Sequence, residues 1–258
     1  MWSSLFSSSR LLLFLISDMI IYGKHAALAA LANPMRKIKR VLVTKNTRDE
    51  LTASAGDKLL SGIKNLQIVD GKKLDDLLPK EAVHQGIAVE CETLLQPSLQ
   101  EFLSSPASNS GLVMLDQVSD PHNVGAILRS AAAFNAGAVI VTDRNAPSES
   151  GVMAKAASGA LEIVPLITIG NLSQAIELLK KSGYWVYGLD GEAKQLISAA
   201  KFDRKTVLVL GAEGRGLRRL TSERCDSLVR LPISDKMESL NVSNAAAISL
   251  YELNRQIT

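Results

Sequence analysis

The sequence predicts an α/β protein in which a small α/β domain precedes a larger domain with a mostly parallel sheet. After residue 111, short apolar strands alternate with helices, which is typical of parallel sheets that helices cover on both faces. Between residues 96 and 110, two prolines and five serines interrupt the pattern, and this is linker composition. We therefore expect an N-terminal domain over 19–95, a linker over 96–110 and a second domain over 111–258.

The elements of the smaller domain follow from apolar periodicity and from turn residues. Helices are predicted at 22–32, 49–60 and 73–78, and strands at 41–44, 67–69 and 87–91.

In the larger domain, strands are predicted at 112–115, 138–142, 161–167, 184–189, 207–210 and 228–231. Helices are predicted between the first two strands and at 150–158, 171–182 and 241–256. Because ligands bind beyond the carboxyl ends of parallel strands, the loops after the strands are the candidate binding loops.

Composition limits the classes of function. The chain has 258 residues, of which 47% are hydrophobic, and this is enough for a large core. A net charge of +3 excludes a uniformly basic nucleic-acid binder, but a local basic patch remains possible. The densest patch lies around residues 36–40. By itself, such a patch is typical of a solvated corner between a helix and a strand. Its basic residues, with one nearby lysine, are Lys24, Arg36, Lys37, Lys39 and Arg40.

The cysteines and histidines favour a reducing, cytoplasmic setting and no metal. Cys91 and Cys225 are far apart in unlike surroundings, so they form neither a disulfide framework nor a zinc motif. The three histidines make no metal-ligand pattern either. An apolar run at 11–16 is too short to cross a membrane, and no other stretch approaches that length, so no membrane association is expected. The serine-rich composition of residues 1–18 resembles a transit peptide only faintly.

Three segments carry the strongest functional signals. In the first, the apolar stretch from Val124 to Val141 contains one charged residue, Arg129. A buried charge needs a partner, so Arg129 is expected to meet a carboxylate or an anionic ligand. In the second, the strand 207–210 runs into a glycine-rich loop that matches neither a P-loop nor the dinucleotide fingerprint. The third is a proline-led loop that runs into a helix of small residues over 231–252.

These segments resemble the three motifs of the SpoU (TrmH) family of SPOUT RNA 2'-O-ribose methyltransferases, in the family's order. The first motif matches at Asn123, Gly125, Arg129 and Ala131, and the second at Gly211, Glu213, Gly214, Gly216 and Leu217. The third matches at Ser239, Leu240, Asn241, Val242, Ser243 and Ala245. The runs at 20–33 and 84–90 are similar to the N-terminal domain of the bacterial 23S rRNA guanosine 2'-O-methyltransferase group within this family. Since this similarity begins near Met19, we expect residues 1–18 to be an extension or a misassigned start.

The resemblance implies a fold and a cofactor. It implies a deep trefoil knot in the second domain and an L30e-like RNA-binding fold in the first. It also implies S-adenosylmethionine as cofactor, bound mainly by backbone groups. The expected cofactor-binding residues are Gly211, Glu213, Gly214, Gly216, Leu217, Leu231, Ile233 and Leu240.

The resemblance further implies a catalytic set of Asn123, Arg129, Glu213, Ser239 and Asn241. Because arginine stays protonated, Arg129 is expected to supply a fixed positive charge. We expect Glu213 to orient an arginine, of this chain or of a partner subunit, and Asn241 to cap a helix as well. The resemblance also makes an RNA-facing role for the basic patch the favoured interpretation, and it implies a homodimer.

The expected function is therefore methylation of a guanosine of 23S rRNA at the ribose 2'-oxygen. A tRNA guanosine 2'-O-methyltransferase and a non-catalytic RNA-binding or ribosome-assembly protein of the same fold are the alternatives. The presence of the complete catalytic set argues against the non-catalytic alternative, and the length of the N-terminal domain favours rRNA.

Overall fold

The computed structural model describes residues 17–53, 60, 62–144 and 146–258. The apolar run at 11–16 lies outside the described residues, as does most of the second half of the helix predicted at 49–60. The chain divides into two compact units. The first contains the residues up to Leu95 together with Glu149–Glu162, and the second contains Gln96–Ser148 and Ile163–Thr258.

The first unit is built on a mixed sheet whose strand order is β1-β4-β2-β3. The strands are β1 (Asp18–Tyr22), β2 (Ile38–Thr44), β3 (Leu66–Val69) and β4 (Ile87–Glu92). Before residue 95, the first unit also contains three described helices, α1 (Lys24–Ala32), α2 (Lys45–Ala53) and α3 (Gly71–Leu77). Strand β1 was not predicted; it is antiparallel to β4 and pairs with it along its whole length.

The segment Glu149–Glu162 belongs to the first unit, although the sequence placed it within the second domain. Its helix α6 (Gly151–Ala157) contacts β1 and α1, and Met153 and Ala157 are fully buried. At its two ends, Glu149 and Glu162 each form an ion pair of 2.5 Å with the buried guanidinium of Arg36. Apolar burial and this buried charge cluster both attach the segment to the N-terminal residues.

The segment predicted to be a linker, 96–110, contains a core helix. Helix α4 (Leu99–Leu103) begins with a capping box between Ser98 and Glu101. Leu99 and Phe102 are buried in the main hydrophobic cluster of the second unit. The prolines and serines of this segment therefore flank a short amphipathic helix, and the linker prediction was wrong for its central part.

The second unit has a seven-stranded sheet of order β7-β6-β5-β10-β8-β11-β9, in which every pairing is parallel. This confirms the predicted mostly parallel sheet. Both faces of its central strands are buried, as expected for a parallel sheet. The strands are β5 (Leu112–Asp116), β6 (Ala138–Thr142), β7 (Leu166–Ile169), β8 (Trp185–Leu189), β9 (Gln195–Leu196), β10 (Thr206–Gly211) and β11 (Ser227–Arg230).

Helices follow strands β5, β7, β10 and β11 of this unit. They are α5 (Pro121–Ala133), α7 (Leu172–Lys181), α8 (Arg219–Arg224) and α9 (Val242–Ile257). Helix α9 contacts both α5 and β10. Strand β9 and helix α8 were not predicted, since both are short and lack a clear apolar period. Among the described residues, no helix is long and apolar enough to span a membrane.

Candidate active site

Three of the predicted catalytic residues meet at the carboxyl edge of the parallel sheet. Asn123 lies in the first turn of α5, Glu213 in the loop after β10, and Asn241 immediately before α9. The Asn241 amide donates to Asn123 Oδ1 at 3.0 Å and also to Glu213 Oε1. Asn123 Nδ2 donates to the same Glu213 oxygen at 3.3 Å. One residue from each sequence motif therefore contributes to this cluster.

Glu213 binds two asparagine amides and the start of a helix, and among the described residues it forms no ion pair with an arginine. Its orientation of an arginine from a partner subunit stays a prediction. Besides the two asparagines, its Oε1 accepts the backbone N–H of Val242 at 3.3 Å. A carboxylate at the first turn of a helix is favoured by the partial positive charge of the helix N-terminus. Asn241 caps the same helix, because its Oδ1 accepts the N–H of Ser243 at 2.9 Å, and this confirms the predicted cap.

Arg129 is exposed on α5, whereas the sequence suggested a buried charge. The helix turns Val124, Ile127 and Leu128 into the core and leaves Arg129 on its solvent side. Within the described residues, the Arg129 side chain has no hydrogen bond or ion pair. The predicted internal carboxylate partner is therefore not needed, and the guanidinium is free to meet an anion from outside the chain.

The glycine loop after β10 is shaped by close backbone approaches. Ala212 and Gly216 form an isolated antiparallel bridge, and the N–H of Gly216 donates to the carbonyl of Ala212 at 2.9 Å. A side chain at Gly211 would overlap the backbone of Gly216 and Leu217. Gly214 and Gly216 have φ values of 73° and 62°, which favour glycine. The loop thus presents backbone groups with little side-chain bulk.

A cleft of about 610 Å³ opens beside this loop at the carboxyl ends of β8, β10 and β11. Its walls include all the predicted cofactor residues except Leu217, which instead packs against the main hydrophobic cluster. The remaining predicted residues in the walls are Gly211, Glu213, Gly214, Gly216, Leu231, Ile233, Leu240 and the exposed Ser239. Backbone groups next to apolar walls suit the flat edge of a purine, so the cleft fits S-adenosylmethionine.

Two acidic residues near the cleft were not predicted from the sequence. Asp190 follows β8 and lines the cleft. Asp116, the last residue of β5, is buried and accepts three hydrogen bonds from the segment after the glycine loop. They come from Arg218 Nε at 2.7 Å, Arg218 N at 3.2 Å and Thr221 Oγ1 at 2.7 Å. An acidic residue at the end of an otherwise apolar strand was the available signal for both.

Of the five predicted RNA-binding side chains in the first unit, one is buried and four are exposed or half-buried. Arg36 is buried, so its assignment to an RNA-facing patch was wrong. Burial alone would lower its pKa, but the hydrogen bonds and charges of Glu162 and Glu149 together raise the pKa above its usual value. The other four side chains reach solvent and pair with acidic neighbours. These pairs are Lys24–Glu50, Lys37–Glu92, Lys39–Asp18 and Arg40–Glu90.

Metal ligation has no candidate in the part of the chain that the structure describes, where no three His, Cys, Asp or Glu side chains cluster suitably. Cys91 and Cys225 are both free, and burial raises the pKa of each thiol to about 12. Both thiols are therefore protonated at neutral pH, and neither is an activated nucleophile.

Comparison with known protein families agrees with this geometry. The SpoU rRNA methylase family matches residues 110–251, and the family of RNA 2'-O ribose methyltransferase substrate-binding domains matches residues 20–97. This chain belongs to the SpoU methylase family. The two family matches fall in the order in which the sequence predicted a substrate-binding and a methyltransferase domain.

Relatives of this SpoU protein extend over nearly the whole chain. The 23S rRNA (guanosine-2'-O-)-methyltransferase RlmB of Coxiella burnetii is 40% identical over 240 residues, covering 92% of this chain and 95% of its own length. RlmB of Pseudomonas aeruginosa is 37% identical, with coverages of 92% and 96%.

Solved SpoU structures share the fold. AviRb from Streptomyces viridochromogenes, in complex with the cofactor AdoMet, has a TM-score of 0.76 and 23% identity, and the match covers 93% of this chain and 90% of AviRb. The TrmH/SpoU tRNA modifying enzyme of A. aeolicus has a TM-score of 0.51 at 25% identity, and its match covers 61% of this chain and 83% of that enzyme.

Proposed function

We propose that this protein transfers a methyl group from S-adenosylmethionine to the ribose 2'-oxygen of a guanosine in 23S rRNA. The observation that carries the proposal is the hydrogen-bonded cluster of Asn123, Glu213 and Asn241, which joins all three SpoU motifs at the carboxyl edge of the parallel sheet. Residues of the second and third motifs, Glu213 among them, also line the cleft beside this cluster. The rRNA and guanosine specificity rests on relatives of that name that cover 92% of the chain.

The residues of the site divide the work of this reaction. The cofactor, when bound, supplies a methyl group that its sulfonium already activates. The glycine loop and the apolar walls at Leu231, Ile233 and Leu240 hold the cofactor, while Asn123, Glu213 and Asn241 fix the helix starts on either side. Ser239 offers a hydroxyl at the cleft wall. Transfer then requires an aligned ribose hydroxyl whose proton leaves.

Arg129 supplies the charge for this step. As an arginine it remains protonated, so its role is that of a fixed cation that holds a substrate phosphate and favours the developing alkoxide. Its exposure and its freedom from partners within the described residues suit a group that meets RNA. The tRNA alternative is less favoured, because the match to the tRNA modifying enzyme omits about two fifths of this chain, 61% being covered.

Mapping of 2'-O-methylated nucleotides tests the proposal. In a strain that lacks the gene, we expect one guanosine of 23S rRNA to lose its 2'-O-methyl group and tRNA to remain unchanged. Re-expression of the wild-type protein should restore the modification. Loss from tRNA alone would transfer the assignment to the tRNA alternative. An unchanged pattern in both RNAs would favour the non-catalytic alternative.

We further propose that the protein acts as a homodimer through α5 and α9. Ile248 and Tyr251 of α9 are 46% and 54% exposed, and Phe134 packs edge-on against Tyr251 with ring centroids 5.9 Å apart. A second copy is the occupant that the family resemblance implies. Light scattering should give a dimer mass for the wild type and for Ile163→Glu, which changes an exposed residue elsewhere, and a monomer mass for Tyr251→Glu.

Two features of the fold and the location complete the proposal. We infer a deep C-terminal trefoil knot and an L30e-like fold for the first unit, both from family resemblance. Single-molecule stretching tests the knot, because a tightened knot keeps the stretched chain shorter than a fully extended one.

An rRNA substrate and the two free cysteines favour the cytoplasm.

A further inference from the structure

A second cleft, of about 590 Å³, opens at the carboxyl edge of the same parallel sheet. It lies at the ends of β6 and β7, where Thr142 and Asp143 face Gly170 and the start of α7. It shares no lining residue with the first cleft. None of the SpoU motif residues named above lines it, so the proposed methyl transfer does not account for it.

Basic side chains outnumber acidic ones in the walls of this second cleft. Three arginines line it, Arg144, Arg218 and Arg219, against one acidic residue, Asp143. Arg144 follows β6, is exposed, and has no ion pair within the described residues. Arg219 is 79% exposed and pairs with Glu223 one turn along α8, an exposed pair of little energetic weight. Such a cavity favours an anionic ligand.

The buried carboxylate of Asp116 holds Arg218 in a fixed position at the cleft. Its Nε binds the buried carboxylate of Asp116 at 2.7 Å, and its backbone N–H binds the same carboxylate at 3.2 Å. Among the described residues, neither terminal nitrogen of its guanidinium has a hydrogen bond. Its side chain is 48% exposed. The outer edge of a fixed guanidinium is thus presented to the cleft, and this edge matches two oxygens of a phosphate.

We propose that this second cleft binds a backbone phosphate of the RNA strand that flanks the target nucleotide. The inference rests on the proposed function. Strand order supports it, because only β5 stands between β6 of the second cleft and β10 of the first. Two strand spacings correspond to roughly 10 Å. An RNA strand that places its ribose at the first cleft therefore passes within reach of Arg144, Arg218 and Arg219.

The test removes the two arginines that carry no structural role. The double variant Arg144→Ala/Arg219→Ala leaves the Arg218–Asp116 pair intact. Breaking that pair would leave the buried Asp116 carboxylate without its charged partner. The matched control is Arg204→Ala. Arg204 is also exposed, but it precedes β10 at the opposite edge of the same sheet. Filter binding of an unmodified 23S rRNA transcript over a salt series, calorimetry with S-adenosylmethionine, and steady-state methylation provide the readouts.

We expect the double variant to bind RNA more weakly. Its log–log salt slope should fall by about one, the contribution of the single phosphate that is no longer neutralised. The Michaelis constant for RNA should rise, while cofactor affinity and the turnover number stay at the wild-type values. Arg204→Ala should match the wild type. Single Arg144→Ala and Arg219→Ala should each fall between the wild type and the double variant.

Equal RNA affinity and salt slope in the double variant and in Arg204→Ala would overturn the inference. In a calorimetric titration with inorganic phosphate, loss of phosphate binding in the double variant with unchanged RNA binding would also overturn the inference, since the cleft would then bind a free anion. Failure of the proposed function is separable, because it would appear as absence of methylation by the wild type, whereas the salt slope reports on the cleft without any turnover.

Discussion

Among the single residues, Arg129 is the cation that we propose for the transfer step. Its isolation among apolar residues suggested a buried charge that needs a partner. The structure places it on the solvent side of α5, where hydration stabilises the charge at little cost. Its freedom from internal partners is what makes it available to RNA.

Arg129→Ala should therefore fold and bind S-adenosylmethionine as the wild type does, because the Arg129 side chain forms no hydrogen bond or ion pair within the described residues. Loss of a charge that acts only in the transition state should lower the transfer rate by ~100-fold or more. Single-turnover methylation measures this, and calorimetry with the cofactor is the control. Methylation near the wild-type rate would contradict the assigned role.

Arg36 is the opposite case, a cation of the basic patch whose role is structural. Arg36→Ala would leave the carboxylates of Glu149 and Glu162 buried without their partner. Breaking a buried ion pair in this way costs about 3–5 kcal/mol. Denaturant unfolding should show this loss, while Lys37→Ala, whose side chain is 72% exposed, should change stability by less than about 1 kcal/mol. Equal effects of the two substitutions would contradict the structural role of Arg36.

Among the loops and helices, the glycine loop depends on Gly211 for its shape. Gly211→Ala would force the added methyl group into the backbone of Gly216 and Leu217. We expect the loop to shift, and cofactor affinity to fall by at least ~10-fold, which corresponds to about 1.4 kcal/mol. Gly191→Ala is the matched control, because Gly191 lines the same cleft but a methyl group there meets nothing within 4 Å. Calorimetric titration with S-adenosylmethionine measures both variants.

Across the whole chain, the two units are joined by more than one crossing, because Glu149–Glu162 returns to the first unit. Deletion of residues 19–95 would uncover the apolar side of α6, including Met153 and Ala157. A truncated protein is therefore a poor test of which unit reads RNA, and charge variants of the intact chain are better suited.

The triple variant Lys24→Ala/Lys37→Ala/Arg40→Ala tests the first unit as the RNA reader. We expect weaker binding of 23S rRNA and a salt slope smaller by about one for each phosphate that these side chains neutralise, with unchanged affinity for S-adenosylmethionine. Wild-type RNA binding by this variant would contradict a substrate-reading role for these side chains. Arg36 is left in place because its replacement would change stability as well.

Local patterns in the sequence were enough to predict the parallel sheet, the order of its main strands along the chain and the three motifs, because these depend on apolar periodicity and on glycine and asparagine at fixed spacings. Which groups meet was settled only by the tertiary structure. The pairing of Glu213 with two asparagines, the burial of Arg36 by carboxylates more than a hundred residues away, and the anchoring of Arg218 by Asp116 join segments that are distant in the chain. Periodicity reports which face of an element is buried, but not which distant residue packs against that face.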